Sequence, residues 1–106
     1  MFFGRSRSIT PERAAARLTR GELVLVDVRK PAELRAGRVR DAVNIPLTRL
    51  PGCLDELDSG RPVAFLCHSG LRSARATRIA INAGYDAVNV RGGVRAWTAA
   101  GLPLTR

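Results

Sequence analysis

One stretch of the chain has residue types in an order that could do covalent chemistry. It is Cys67-His68-Ser69-Gly70-Leu71-Arg72-Ser73, which follows the apolar run Val63-Ala64-Phe65-Leu66 and leads into alanine-rich sequence. A buried strand that turns into a helix at this point would set Cys67 against unpaired backbone N–H groups and the positive end of the helix dipole. Both favour thiolate over thiol, so the cysteine pKa is expected below its ordinary value of about 8.5. Gly70 lets the loop curl so that its amides point inward as a nest. Arg72 adds a positive charge that opposes the helix dipole, a local conflict that suits an anion held beside it. Ser73 can either cap the helix or donate a hydroxyl. His68 reads as an exposed residue contributing mainly its backbone N–H. The implied chemistry is nucleophilic catalysis by Cys67, with the residues from His68 to Ser73 binding an anionic substrate or intermediate.

The surrounding elements must place that loop. Thr10-Pro11-Glu12 opens a helix, with Thr10 as cap and Pro11 in the first turn, and Gly21 stops it. Leu23 to Val28 is an almost unbroken apolar run, the signature of a strand buried on both faces of a parallel sheet. Pro31 to Leu34 opens a short helix that ends at Gly37, and Ala42 to Ile45 is a second strand. Leu47, Leu50, Leu54 and Leu57 form a helical stripe broken by Pro51-Gly52. Val63 to Leu66 is a third strand, Ser73 to Ala83 a helix ending at Gly84, Ala87 to Val90 a fourth strand, and Gly92-Gly93 leads to a last helix. Strands alternating with helices predict an α/β domain. Ligands in such domains gather outside the carboxyl ends of the strands. Those ends bring Asp27, Arg29, Cys67 and Gly93 to one rim. Asp27 and Arg29 are expected to brace it through an ion pair, and Gly93 to allow close backbone approach.

These motifs together resemble the rhodanese-like sulfurtransferases, over roughly residues 9–104. The matching parts are Asp27-Val28-Arg29 with Glu33, Ala42-Val43-Asn44-Ile45-Pro46, the Cys67-to-Ser73 loop, and Gly92-Gly93-Val94-Arg95-Ala96-Trp97 followed by Gly101-Leu102-Pro103. The resemblance implies an open, mainly parallel five-stranded sheet with helices on both faces. It also implies a cofactor-free reaction in which Cys67 takes sulfane sulfur from a small anionic donor such as thiosulfate. The resulting persulfide then passes its sulfur to cyanide, a thiol or a sulfur-carrier protein. The loop is C-x4-R, which resembles the sulfurtransferase branch, whereas phosphatases on a related fold use C-x5-R. Phosphatase or arsenate-reductase activity, and a protein-to-protein sulfur-relay or sensor module, stand as alternatives. The sequence departs from the family at Arg38 and Asp41, where many members carry His and Gly. A glycine there suggests a turn with positive φ, which Asp tolerates better than most residues.

Composition narrows the rest. At 106 residues the chain suits one domain spanning 1–106, with a polar N-terminal segment over residues 1–8. No apolar run approaches the about 20 residues of a membrane helix, and Met1-Phe2-Phe3 is too short for a signal peptide core, so a cytoplasmic location is expected. Cys53 and Cys67 stand fourteen positions apart with a single histidine in the chain, too few ligands for a tetrahedral metal site. Cys53 is read as a partly buried structural cysteine. The net charge of +9 comes from 18 basic and 9 acidic residues, and every basic residue but Lys30 is arginine. Those arginines are dispersed, with no dense block or aromatic platform, so nucleic acid is not an expected partner, while small anions are.

Overall fold

The computed structural model describes residues 7–58 and 60–106. Five strands form one sheet in the order β1-β5-β4-β2-β3, and every pairing is parallel. They are β1 (Ser8–Ile9), β2 (Val24–Asp27), β3 (Val43–Asn44), β4 (Val63–Leu66) and β5 (Ala87–Val90). Among the described residues four helices intervene: α1 (Pro11–Thr19), α2 (Leu50–Cys53), α3 (Leu71–Asn82) and α4 (Gly93–Ala99), with 3-10 turns at Pro31–Ala36 and Leu54–Glu56. An isolated antiparallel bridge joins Arg38 to Thr105 and ties down the C-terminal segment.

The central strand β4 is apolar at every position, and β2 is apolar up to Asp27 at its end, because helices cover both faces. Successive side chains of a strand point to opposite sides. Val26, Val63 and Phe65 accordingly enter one core with Leu50, Ala76 and Ala80. Their neighbours Leu25, Ala64 and Leu66 enter the other with Ala14, Val94 and Trp97. Trp97 is 2 % exposed, and its indole N–H donates to the Pro103 carbonyl, so it is a core residue.

Several elements differ from the sequence reading for identifiable reasons. Strand β1 begins at Ser8, the last residue of the stretch read as a polar segment over residues 1–8, of which residues 1–6 fall outside the described residues. Two residues carry no legible period; β1 exists because Asn89 and Arg91 donate to the Arg7 and Ile9 carbonyls. Pro51 and Gly52 do not break the leucine stripe but sit within α2, where Pro51 occupies the first turn and has no N–H to lose. Helix α3 begins at Leu71 rather than Ser73, because the Gly70 carbonyl already accepts the Ala74 N–H. Asp41 is not at positive φ; among the described residues only glycines are.

Candidate active site

Cys67 directly follows β4 and is 1 % exposed. Its Sγ accepts the Gly70 N–H at 3.1 Å and the Ser73 N–H at 3.4 Å, and lies 3.2 Å from the Ser73 hydroxyl. Burial alone would push the thiol pKa up. The Ser73 hydroxyl, followed by the amides of Ser73, Gly70 and Ser69, outweighs it, and the net direction is down. This direction matches the expectation from the helix dipole. Ser73 is not the helix cap: Gly70 holds that position, and the Ser73 hydroxyl faces the sulfur instead.

The loop's shape depends on two glycines. Gly70 has φ +107°, a conformation that L side chains rarely adopt, and a Cβ there would lie 3.3 Å from the Gly92 nitrogen. Gly93 has φ +61°, and a Cβ would run into the Cys67 carbonyl oxygen and come within 2.5 Å of that of His68. Those two carbonyls instead accept the N–H groups of Val94 and Arg95, which pins the loop to the start of α4. His68 and Ser69 are exposed on the outer side of the loop, as is Leu71.

Arg72 has a partner that the sequence reading did not give it. Each of its terminal nitrogens donates to the Glu33 carboxylate, at 2.7 and 2.9 Å. The same pairing, opposed by partial burial and helped by the Lys30 N–H, holds Glu33 down to about 2. Arg72 is raised chiefly by Glu33, with a smaller contribution from its proximity to Cys67.

Asp27 and Arg29 form a buried ion pair at 2.8 Å, with side chains 1 % and 4 % exposed. Arg29 also donates to the Gly37 carbonyl at 3.0 Å, which fixes the turn after the 3-10 segment that carries Glu33. Two further residues serve the rim and were missed in the sequence. Asn44 donates from its amide to the carbonyls of both Asp27 and Arg29, and the Asn89 amide donates to the Gly70 carbonyl. The available signal was an amide at the third position of two otherwise apolar runs, Ala-Val-Asn-Ile and Ala-Val-Asn-Val. Such a side chain needs a partner once the strand is buried.

The second cysteine, Cys53, is free, 8 % exposed and packed among the leucines of the α2 side, with an Arg49 guanidinium nitrogen 4.0 Å from its sulfur. A cavity of about 700 Å³ lies between α1 and Leu102–Thr105, but no residue of the Cys67 loop lines it. No helix among the described residues is long and apolar enough to cross a membrane.

The fold that holds this site has counterparts among known proteins. The family model of the rhodanese-like domain matches residues 10–100. The chain belongs to the rhodanese-like family. A relative from Allochromatium vinosum named sulfurtransferase is 39 % identical over 84 residues, which is 78 % of this rhodanese-like chain and 78 % of that protein. The crystal structure of a rhodanese-related protein from Thermoplasma volcanium superposes with a TM-score of 0.87 at 30 % identity, covering 93 % of this chain and 97 % of that one. The thiosulfate sulfurtransferase of Pseudomonas aeruginosa gives a TM-score of 0.86 at 28 % identity, covering 95 % of this chain but only 20 % of that longer one.

Proposed function

We propose that this rhodanese-like chain is a sulfurtransferase that carries sulfane sulfur as a persulfide on Cys67. The observation that carries this reading is the set of donors converging on one sulfur atom, from Gly70, Ser73 and the Ser73 hydroxyl. Donors aimed where negative charge sits need no reorganisation as the charge moves. The sulfurtransferase names of two relatives support the same class of activity.

In the first half-reaction the Cys67 thiolate attacks the outer sulfur of a donor of the thiosulfate class. A sulfur–sulfur bond forms to Cys67, the donor's own sulfur–sulfur bond breaks, and sulfite leaves with the bonding electron pair. The loop amides then face a persulfide of the same charge as the thiolate they held before. In the second half-reaction cyanide or a thiolate attacks the outer sulfur, and Cys67 leaves as thiolate, ready for another cycle. Atoms and electrons balance with no cofactor. A reducing compartment such as the cytoplasm keeps both cysteines available as thiols.

Phosphoester hydrolysis is less well served by this site. The loop from Cys67 to Arg72 is C-x4-R, one residue shorter than the C-x5-R cradle that phosphatases on a related fold use for a tetrahedral phosphate. The deciding experiment is the intact mass of the reduced protein before and after thiosulfate. A gain of about 32 Da, lost on adding cyanide and absent in Cys67→Ser, is the expected result. No gain with either thiosulfate or a low-molecular-weight persulfide, together with phosphoester turnover, overturns the proposal.

A further inference from the structure

Helix α3 begins at the catalytic loop and carries Arg72, Arg75 and Arg78 at three-residue spacing, so they lie along one side of it. Together with Leu47 and Leu71 they line a shallow depression of about 290 Å³, and no acidic residue is among those five. Leu71 is 82 % exposed, higher than Val43, the other large hydrophobic side chain exposed among the described residues. Arg75 and Arg78 are exposed as well, while the opposite side of α3, including Ser73, Ala76, Thr77 and Ala80, is buried in the core. An exposed leucine four residues beyond the nucleophile does nothing for a thiosulfate-sized donor. A bare apolar side chain next to a row of guanidinium groups fits the centre and rim of a protein contact.

We propose that this depression, built from Leu47, Leu71, Arg75 and Arg78, is the docking surface for a protein that exchanges sulfur with Cys67. It presents that protein's cysteine on an acidic segment containing an apolar side chain. The proposal rests on the persulfide reading of Cys67 and adds the chemistry of the macromolecular partner. Charge complementarity decides the occupant: every charged side chain lining the depression is an arginine, Arg75 and Arg78 beside the Glu33-paired Arg72, and the chain as a whole carries +9. The leucine pair favours a protein over a nucleic acid, whose phosphates would be served by the arginines alone. Steering by such a patch acts mainly on the association rate and fades with salt.

The test uses two synthetic peptides of one length, each with a central Leu-Cys, flanked by aspartate and glutamate in one and by lysine in the other. Binding is read by fluorescence anisotropy on versions with Cys replaced by Ser, so it requires no persulfide. Sulfur transfer is read separately, in a single turnover from persulfide-loaded protein to each thiol peptide and to uncharged dithiothreitol. Arg75→Glu/Arg78→Glu is expected to weaken acidic-peptide binding and slow transfer to that peptide by about tenfold at low salt. It should leave transfer to dithiothreitol unchanged and remove the preference for the acidic over the basic peptide. The control Arg13→Glu/Arg20→Glu, of equal net charge and on α1 and its cap, is expected to change binding less than about twofold. Equal losses in the two double variants overturn the docking surface, since net charge would then account for the binding. Tighter binding of a single-stranded RNA of matched charge, lost in the same Arg75/Arg78 variant, overturns it in favour of nucleic acid. Failure to load the persulfide strikes the proposed function alone, because the anisotropy arm still decides the surface.

Discussion

Cys53 and Cys67 lie in the same apolar cluster, at 8 % and 1 % exposure, yet their sulfur atoms meet different surroundings. Around Cys67 two amides and a hydroxyl come within 3.4 Å, and the thiol is pulled toward its anion despite being the more buried of the two. Around Cys53 the neighbours are the leucines of α2 and the following turn, with one guanidinium nitrogen at the 4.0 Å limit of a sulfur contact. A buried thiol is by default a small hydrophobe. What changes its chemistry is where the Ser73 hydroxyl and the loop amides point, and that is a property of the turn between β4 and α3.

The sharpest way to break this contrast is to exchange each sulfur for oxygen. Cys67→Ser is expected to abolish sulfur loading and to lower turnover by at least about a thousandfold, whereas Cys53→Ser leaves turnover within about twofold. Comparable losses from both, measured with thiosulfate and cyanide, would make Cys53 part of the reaction. The next effect concerns what holds the loop. Asp27→Asn leaves Arg29 buried without its counter-charge and is expected to cost about 3–5 kcal/mol in denaturant unfolding. A cost under about 1 kcal/mol would mean that the rim is braced elsewhere.

Ser73→Ala removes the donor that contributes most to holding Cys67 down. The thiolate titration, followed by ultraviolet absorbance, should move to higher pH, with loading about tenfold slower at neutral pH. An unmoved titration would assign the effect to the amides alone. The smallest effect is expected at Glu33, whose carboxyl falls from 4.5 to about 2 on pairing with Arg72. Because the folded state holds that proton less tightly, the pair contributes stability above the ordinary carboxylate range. That contribution is lost as pH falls from 4.5 toward 2. Glu33→Gln should therefore be less stable than the parent near neutral pH, by under about 1 kcal/mol given its partial exposure. The two unfolding curves should converge toward pH 2, and a gap that stays constant with pH would exclude the ion pair as its source.

Much of this was legible in the chain itself. The continuous apolar runs at β2 and β4 required a sheet covered on both faces, and the interdigitated cores follow from that. The Thr10 cap and Pro11 marked the start of α1, and the strand-loop-helix around Cys67 pointed to the amide nest and to the direction of the thiol's pKa. Other features were not legible. Strand β1 is two residues long and is defined by its partner β5, and α2 tolerates Pro51 because a first-turn residue needs no N–H.

What the sequence determined by itself is local: a cysteine, a glycine that bends, and a serine six residues on can be read as a nest because one turn of chain holds them all. What only the tertiary structure decided is who else reaches that turn. Glu33 takes the Arg72 guanidinium from 39 residues away, Asn89 ties down Gly70 from 19, and Gly93 must lack a side chain because the Cys67 carbonyl sits against it. Short-range geometry follows from bonded sterics and periodicity. Pairings between distant residues follow from strand order and register, which no local pattern encodes.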